Sequence, residues 1–453
     1  MIRTVKAGMG SYLRETRGAA AVLFAVAIPV IVASVGMAVD LSQAYLVKTR
    51  LSHALDAAAL ASAASASSEA AINAKLQDFF HANYPPEKIG MTYDVRATLV
   101  GDEVTVTAKA SYLTSFLSVL GIDTIAVSAQ TVVQREVKGV EVAMVLDVTG
   151  SMAENDNIGT LRTAATNFVN IMFERADDRF VRIGLVPFAT SVNVGPYGLG
   201  KNPDGSTYGD GTSFMRNRHG LTYTTSTTST QWRGCILEGA YPSDTIDQTG
   251  PWEMYRYCRR VNDDVGVCEL DSRGRPKANP NKSCPVSPVV PLTNDQTKLL
   301  TSISGFQANG NTQGNTGMVW GYRLISPEYP FTEGSAWDSE FWRKAVIVMT
   351  DGANTINTYT SRSGPTYSGY GLNSTLVPAD LNNRFAETCE LLKDQDVIVY
   401  TVIFTSGIPQ ATKDLFRDCA TDDTKYFYAP SQEDLINTFE TIGRELSNLH
   451  IKS

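Results

Sequence analysis

Histidine is scarce in this chain: His53, His81, His219 and His450 are the whole supply, and none neighbours another. There is no HExxH for a helix-borne zinc site, no GxSxG nucleophile turn and no GxxxxGK[ST] phosphate loop. The cysteines, at positions 235, 258, 268, 284, 389 and 419, form no CxxC and have no histidine at zinc-knuckle spacing. A disulfide framework in an oxidising compartment is therefore the expectation for Cys235, Cys258, Cys268, Cys284, Cys389 and Cys419. Beyond the extreme N-terminus no cluster of Lys or Arg occurs and the net charge is −8, which removes the basic face a nucleic-acid partner needs.

Residues 18–39, GAAAVLFAVAIPVIVASVGMAV, lack charge altogether. As a helix at about 1.5 Å per residue they span about 33 Å, enough to cross a bilayer core. Arg3, Lys6, Arg14 and Arg17 precede this run, while Asp40 follows it, with Lys48 and Arg50 further on. The positive-inside rule then keeps residues 1–17 in the cytoplasm and exports the rest. Pro29 kinks the span without forbidding it. The apolar core is longer than that of a cleaved secretory signal, so the helix is expected to stay as an anchor.

What is present after the anchor divides the chain further. Residues 40–82 read as an exported, Ala-rich helical segment that ends before Pro85 and Pro86. Residues 83–136 read as a small β-rich spacer, with TYDVRATLV and EVTVTAKASYL alternating around Gly101-Asp102 as a hairpin and residues 125–136 as a third strand. Strands then alternate with helices across 139–450, the pattern of a doubly wound, mainly parallel sheet. Its strand sequences are VEVAMVL, RIGLVPF, KAVIVMT, DVIVYTVIF and a short KYFYA. Residues 196–292 interrupt this domain with a Gly-, Ser-, Thr- and Tyr-rich insertion that holds four of the cysteines. Four cysteines allow three pairings, which sequence does not separate. Trp232, Trp252, Tyr255, Arg256 and Tyr257 give the insertion either an interface or a self-packed aromatic cluster.

The polar chemistry gathers where strands end. VEVAMVL runs into Asp147-Val-Thr149-Gly-Ser151, in which alternate side chains of an extended loop point the same way, one carboxylate and two hydroxyls together. Three hard oxygen donors suit Mg²⁺ or a similar cation, although the same residues also make an ordinary turn. In open α/β sheets ligands bind beyond the carboxyl ends of the strands, and the later strand ends in Thr350-Asp351-Gly352, while Gly310-Asn311-Thr312 lies just before a helix. Asp147, Thr149, Ser151, Thr312 and Asp351 are thus expected at one rim, with Thr316 offering a second hydroxyl in the Thr312 loop.

Two resemblances follow from these residues. RGAAAVLFAVAIPV and GMAVDLSQAYLVKTRLSHALDAAALASA resemble the N-terminal segment of TadG-type Flp pilus-assembly proteins, most specifically in AVDLSQAY and LDAAALA. Related pilin-like proteins that a prepilin peptidase cuts carry Glu five residues after the cleaved Gly; counted from Gly18 that position is Leu23, which implies a retained anchor. The strand-end set is similar to the metal-ion-dependent adhesion site of von Willebrand factor A domains, DxSxS on one loop, Thr on a second and Asp on a third. Thr149 stands where that motif usually has its first Ser. The resemblance implies that Thr149, Ser151 and Thr312 bind the metal directly, and Asp147 and Asp351 directly or through water. RIGLVPFATSVNVG, GNTQGNTGMVWGYRLISP and VIVMTDGANT look like the TadG type of this fold.

The expectation is a non-enzymatic, membrane-anchored protein of the bacterial inner membrane, its bulk in the periplasm or at the cell surface. Through Mg²⁺, or Mn²⁺ or Ca²⁺, it would bind an acidic group on a protein partner, with pilus-assembly components first in line and no small-molecule substrate. The alternatives are a scaffold whose insertion does the binding, and a Mg²⁺-dependent hydrolase, against which stands the lack of a base beside the hydroxyl-rich loops.

Overall fold

The computed structural model describes residues 16–65, 69–85, 90–100, 103–134, 136–175, 178–218, 220–226, 231–247, 250–255, 257–258, 261–262, 267–268, 272, 278–356, 367–368, 371–372, 376–449 and 451–452. The chain divides into two compact units, the first reaching Glu136 and including the last three residues, the second running from Val137 to His450.

The first unit is organised by one long helix, α1 (Thr16–Ser65). Side chains from Val22 to Val35 are all exposed, whereas Gly36, Asp40, Ala44, Val47, Leu51, Leu55, Ala58 and Ser62 form a buried stripe at three- and four-residue spacing. The helix therefore has an uncovered apolar half and a half that packs on one face. No helix breaker separates the apolar span from the Ala-rich segment, so the two stretches distinguished by composition run as one element. Ala58, Ala59 and Ala63 are buried, and their small size lets a second helix, α2 (Glu69–Asn83), approach through Ile72, Leu76 and Phe80. Both helices cover an antiparallel sheet of β1 (Met91–Val100), β2 (Glu103–Leu113) and β3 (Thr124–Gln134), in that spatial order. The free edge of β1 is capped from α2: the Asn73 amide donates to the Ala97 carbonyl and accepts from its N–H, both at 2.8 Å. Gln77 donates to the Val95 carbonyl at 2.8 Å.

The second unit is a six-stranded sheet. Its strands are β4 (Gly139–Asp147), β5 (Val181–Phe188), β6 (Val290–Thr293), β7 (Trp342–Thr350), β8 (Ile398–Ile403) and β9 (Tyr426–Tyr428). Their spatial order is β6-β5-β4-β7-β8-β9; only β6 runs antiparallel to its neighbour. Every residue of β4 is buried, as expected of a central parallel strand covered on both faces. Val140, Val142, Met144 and Leu146 point to one face, under α3 (Asn157–Arg175) and α8 (Gln432–Leu449), which meet through Phe168 and Phe439. Ala143 and Val145 point to the other, under α5 (Gly314–Ile325) and α6 (Pro378–Asp394). The remaining helices are α4 (Gln296–Ser304) and α7 (Gln410–Cys419).

No residue of α5 reaches the surface, because the insertion covers its outer side. Trp252 and Phe214 of the insertion are buried against Trp320 and Phe331, and Trp232 is buried beside Tyr223, so these aromatics make the self-packed cluster rather than an exposed contact face. At its centre the Glu238 carboxylate accepts from Arg323 at 3.0 and 3.1 Å, from Trp320 Nε1 at 2.9 Å and from Trp252 Nε1 at 3.1 Å. A charge pair taken wholly out of water persists only when its lone pairs and protons are satisfied, and here they are. Cys235 and Cys284 form a disulfide that closes the insertion, and Cys389 on α6 is bonded to Cys419 on α7. The side chains of Cys258 and Cys268, and those of Arg256 and Tyr257, lie outside the described residues.

Candidate functional site

Close helix packing sets the position of the strand-end loops. A methyl group on Gly317 would lie 2.6 Å from the Phe188 ring, and one on Gly321 would lie 2.4 Å from Val145 Cγ2. With glycine at both places α5 sits directly on β4 and β5, and the loop that leads into it meets the ends of those strands. Backbone hydrogen bonds then lace three loops together. Gly150 N donates to the Gly310 carbonyl at 2.9 Å, Asn309 N to the Val148 carbonyl at 2.8 Å, and Thr355 N to the Thr312 carbonyl at 2.8 Å.

The five residues expected at this rim do converge there. Asp147 is fully buried; its Oδ1 accepts from Thr149 N at 2.8 Å and its Oδ2 from the Thr350 hydroxyl at 2.7 Å. Thr149 Oγ1 lies 3.0 Å from Ser151 Oγ and 3.4 Å from Thr312 Oγ1, and Ser151 Oγ donates to Asp351 Oδ1 at 2.6 Å. Of the two threonines in the second loop, Thr312 supplies the hydroxyl at this cluster. The Thr316 hydroxyl is buried in the first turn of α5 and makes no hydrogen bond among the described residues. Asp147, Thr149 and Thr312 form the floor, Asp351 is half-buried and Ser151 is exposed, so the cluster opens to solvent on one side.

Two carboxylates share this rim, and each is shifted. Burial raises the Asp147 carboxyl above its usual range, against hydrogen bonds from Thr149 and Thr350 that favour the anion. Asp351 is pushed up to about 7, first by burial and then by the Asp147 charge. A cation placed between them would favour the charged form of both carboxylates. The donor chemistry also fits a hard ion: two carboxylates and three hydroxyls, with no cluster of three or more His, Cys, Asp or Glu among the described residues. Octahedral Mg²⁺ at about 2.1 Å from its ligands places neighbouring oxygens about 3 Å apart. Three neighbouring oxygen pairs, Thr149–Ser151 at 3.0 Å, Ser151–Asp351 at 2.6 Å and Thr149–Thr312 at 3.4 Å, lie near that spacing.

Several supporting residues carry no sequence signal of their own. Thr350 orients Asp147, Thr190 Oγ1 accepts from Asn311 N at 2.9 Å, and Asn354 accepts from Gly314 N at 2.7 Å, which caps α5 beside the site. Thr350 and Asn354 flank Asp351 within MTDGAN, so their nearness in sequence was visible. Their task depends on the fold.

Comparison with known proteins bears on the two ends of the chain differently. Residues 18–66 match the Flp pilus-assembly TadE/G-like family. No curated protein matches the chain. Solved structures resemble it at low identity. The pilus adhesin SpaC from Lactobacillus rhamnosus GG is 12% identical with a TM-score of 0.39, covering 81% of this chain and 36% of its own. The vWF domain of a type V pili tip protein from Porphyromonas gingivalis is 12% identical with a TM-score of 0.39, over 70% of this chain and 97% of its own. Proximal thread matrix protein 1 from the mussel byssus, with a zinc-occupied MIDAS motif, is 13% identical with a TM-score of 0.31, over 69% of this chain and 46% of its own. The chain thus spans about a third of the length of the adhesin.

Proposed function

We propose that the chain is a membrane-anchored component of a Tad-type pilus apparatus whose second unit captures an acidic group of a partner protein through a divalent cation. The observation that carries this reading is the meeting of three loops, far apart in sequence, in one cluster of five oxygen-bearing side chains that is buried at its floor and open at Ser151. Thr149, Ser151 and Thr312 would hold the ion directly, and Asp147 and Asp351 directly or through water. The ion would supply an open coordination position and a positive charge at an otherwise acidic rim. Thr350 holds the Asp147 carboxylate in place, and Gly150 and Asn309 keep the first two loops at a fixed separation. Such a set is suited to holding a ligand acid; the reading is therefore of recognition and not of hydrolysis. Mg²⁺ is the proposed ion because the oxygen spacing fits a small octahedral cation.

The anchor and the disulfides support an exported location. The apolar half of α1 has four basic residues before it and Asp40 after it, which favours a cytoplasmic N-terminus with the chain from Asp40 onward in the periplasm. The Cys235–Cys284 and Cys389–Cys419 bridges suit that oxidising compartment.

The reading is tested with Asp147→Ala. The purified wild-type protein should bind Mn²⁺, as read by electron paramagnetic resonance, and the variant should not, while the two give the same circular dichroism. In cells, photo-crosslinking from a probe beside Ser151 should capture a pilus-assembly protein from the wild type, and lose that adduct with Asp147→Ala or with EDTA. Capture that survives both would remove the metal from the mechanism and leave the insertion as the binding surface.

A further inference from the structure

The loop between β2 and β3 carries apolar side chains that the folded unit does not cover. Leu113 is 64% exposed, Val119 86% and Leu120 60%, with Phe116 and Ile122 also exposed. A short 3₁₀ turn, Leu117–Leu120, presents Val119 and Leu120 outward and ends on Gly121 in the left-handed region. Burying an apolar side chain is the ordinary outcome of folding, so a run of uncovered ones marks a surface that meets something else.

The position of this loop along α1 says what that is. Asp40, the first charged residue after the apolar span, is fully buried and accepts from the backbone N–H groups of Ser115, Phe116 and Leu117 at 2.9, 2.9 and 2.7 Å. Three hydrogen bonds to one carboxylate fix the loop to this turn of the helix. Four residues earlier, Phe116 lies against Gly36, where an added methyl group would be 2.6 Å from its Cβ. The exposed loop is therefore held at the point where α1 changes from an uncovered apolar rod to a packed helix, and the half-exposed Phe116 meets α1 at Gly36, next to the last residue of the uncovered stretch Val22–Val35.

We propose that residues 113–122 form a membrane-dipping loop whose Val119 and Leu120 enter the phospholipid bilayer that α1 crosses, at the boundary between headgroups and acyl chains. The inference rests on the reading of α1 as a membrane anchor. It gives the first unit a second point of attachment, so that the unit is seated on the bilayer rather than tethered by a single helix. The far end of the same sheet provides a matched control: Val100 is 77% exposed and equally apolar, but lies at the opposite end of β1 and β2 from the loop.

The test uses the full chain reconstituted in phosphatidylethanolamine–phosphatidylglycerol vesicles, with a photoreactive residue at one position at a time: Val30→p-benzoylphenylalanine, Val119→p-benzoylphenylalanine or Val100→p-benzoylphenylalanine. After irradiation, mass spectrometry should find phospholipid adducts at 30 and 119 and none at 100. Adducts at 30 but not at 119, or adducts from 119 to a second copy of the chain instead of to lipid, overturn the loop and leave the anchor standing. Lipid labelling at all three positions overturns it as well, because Val100 would then be as close to the bilayer as Val119. Failure at 30 removes the anchor and the loop together.

Discussion

Glu333 is half-buried, with its Oε2 enclosed and only half its needs met. Its Oε1 accepts from the Tyr208 hydroxyl at 2.7 Å, and its Oε2 has no hydrogen-bond partner among the described residues. Burial outweighs the Tyr208 contact and raises its pKa above the usual Glu range. A group whose folded pKa lies above its unfolded value adds stability that is complete below the unfolded pKa and is lost as pH rises through the folded one. Glu333→Gln removes that titration. Thermal unfolding followed from pH 4 to pH 8 should show the wild type losing ground to the variant as pH climbs, with the two closest at the acid end. A constant difference across the range would mean that Glu333 does not titrate in this window. The sequence offered no hint of this residue, nor of Glu238, since each is placed by a partner more than eighty residues away. The residues of the strand-end rim were legible for the opposite reason. Asp147, Thr149 and Ser151 share an alternating pattern at the end of an apolar strand, and Asp351 ends a second one, so period and strand polarity alone sent them to the same rim.

At the scale of elements, α5 determines whether that rim is assembled. Its twelve residues are all buried, and Gly317 and Gly321 let it lie where side chains would otherwise separate it from β5 and β4. Gly321→Ala places a methyl group 2.4 Å from Val145 Cγ2, a contact that must be relieved by moving either the helix or the strand. Overpacking of this kind typically costs about 1–3 kcal/mol. The expected outcome is a loss of that order in urea unfolding together with weaker Mn²⁺ binding, because Thr312 precedes the displaced helix. Lost stability with unchanged Mn²⁺ affinity would mean that the Thr312 loop is positioned independently of α5. A helix following Thr312 was legible in the sequence, but not its enclosure on every side. That enclosure comes from the insertion, whose packing on Trp320 has no period to read. In α1 the difference was of another kind: composition changes at Asp40, while the backbone has no reason to stop until Ser65.

At the scale of the molecule, the two units have separate hydrophobic cores: one from α1, α2 and the three-stranded sheet, the other from the two faces of the six-stranded sheet. A cation held as proposed by the loops of β4, α5 and β7 would make all its contacts within the second unit. A ligand that binds only the folded form stabilises by RT ln(1 + [L]/Kd), about 2.7 kcal/mol at a hundred-fold excess over Kd. Differential scanning calorimetry of the full chain in detergent should resolve two transitions. Mg²⁺ should raise the one belonging to residues 137–450 by several degrees and leave the other unmoved, and Asp147→Ala should abolish the shift. If both transitions rise together, the ion is acting on the chain as a whole or through the detergent, not at the rim. If neither moves while Mn²⁺ still binds by resonance, the ion occupies the site too weakly to stabilise the fold alone. A partner's acid would then be needed to complete its coordination, as the open side at Ser151 allows.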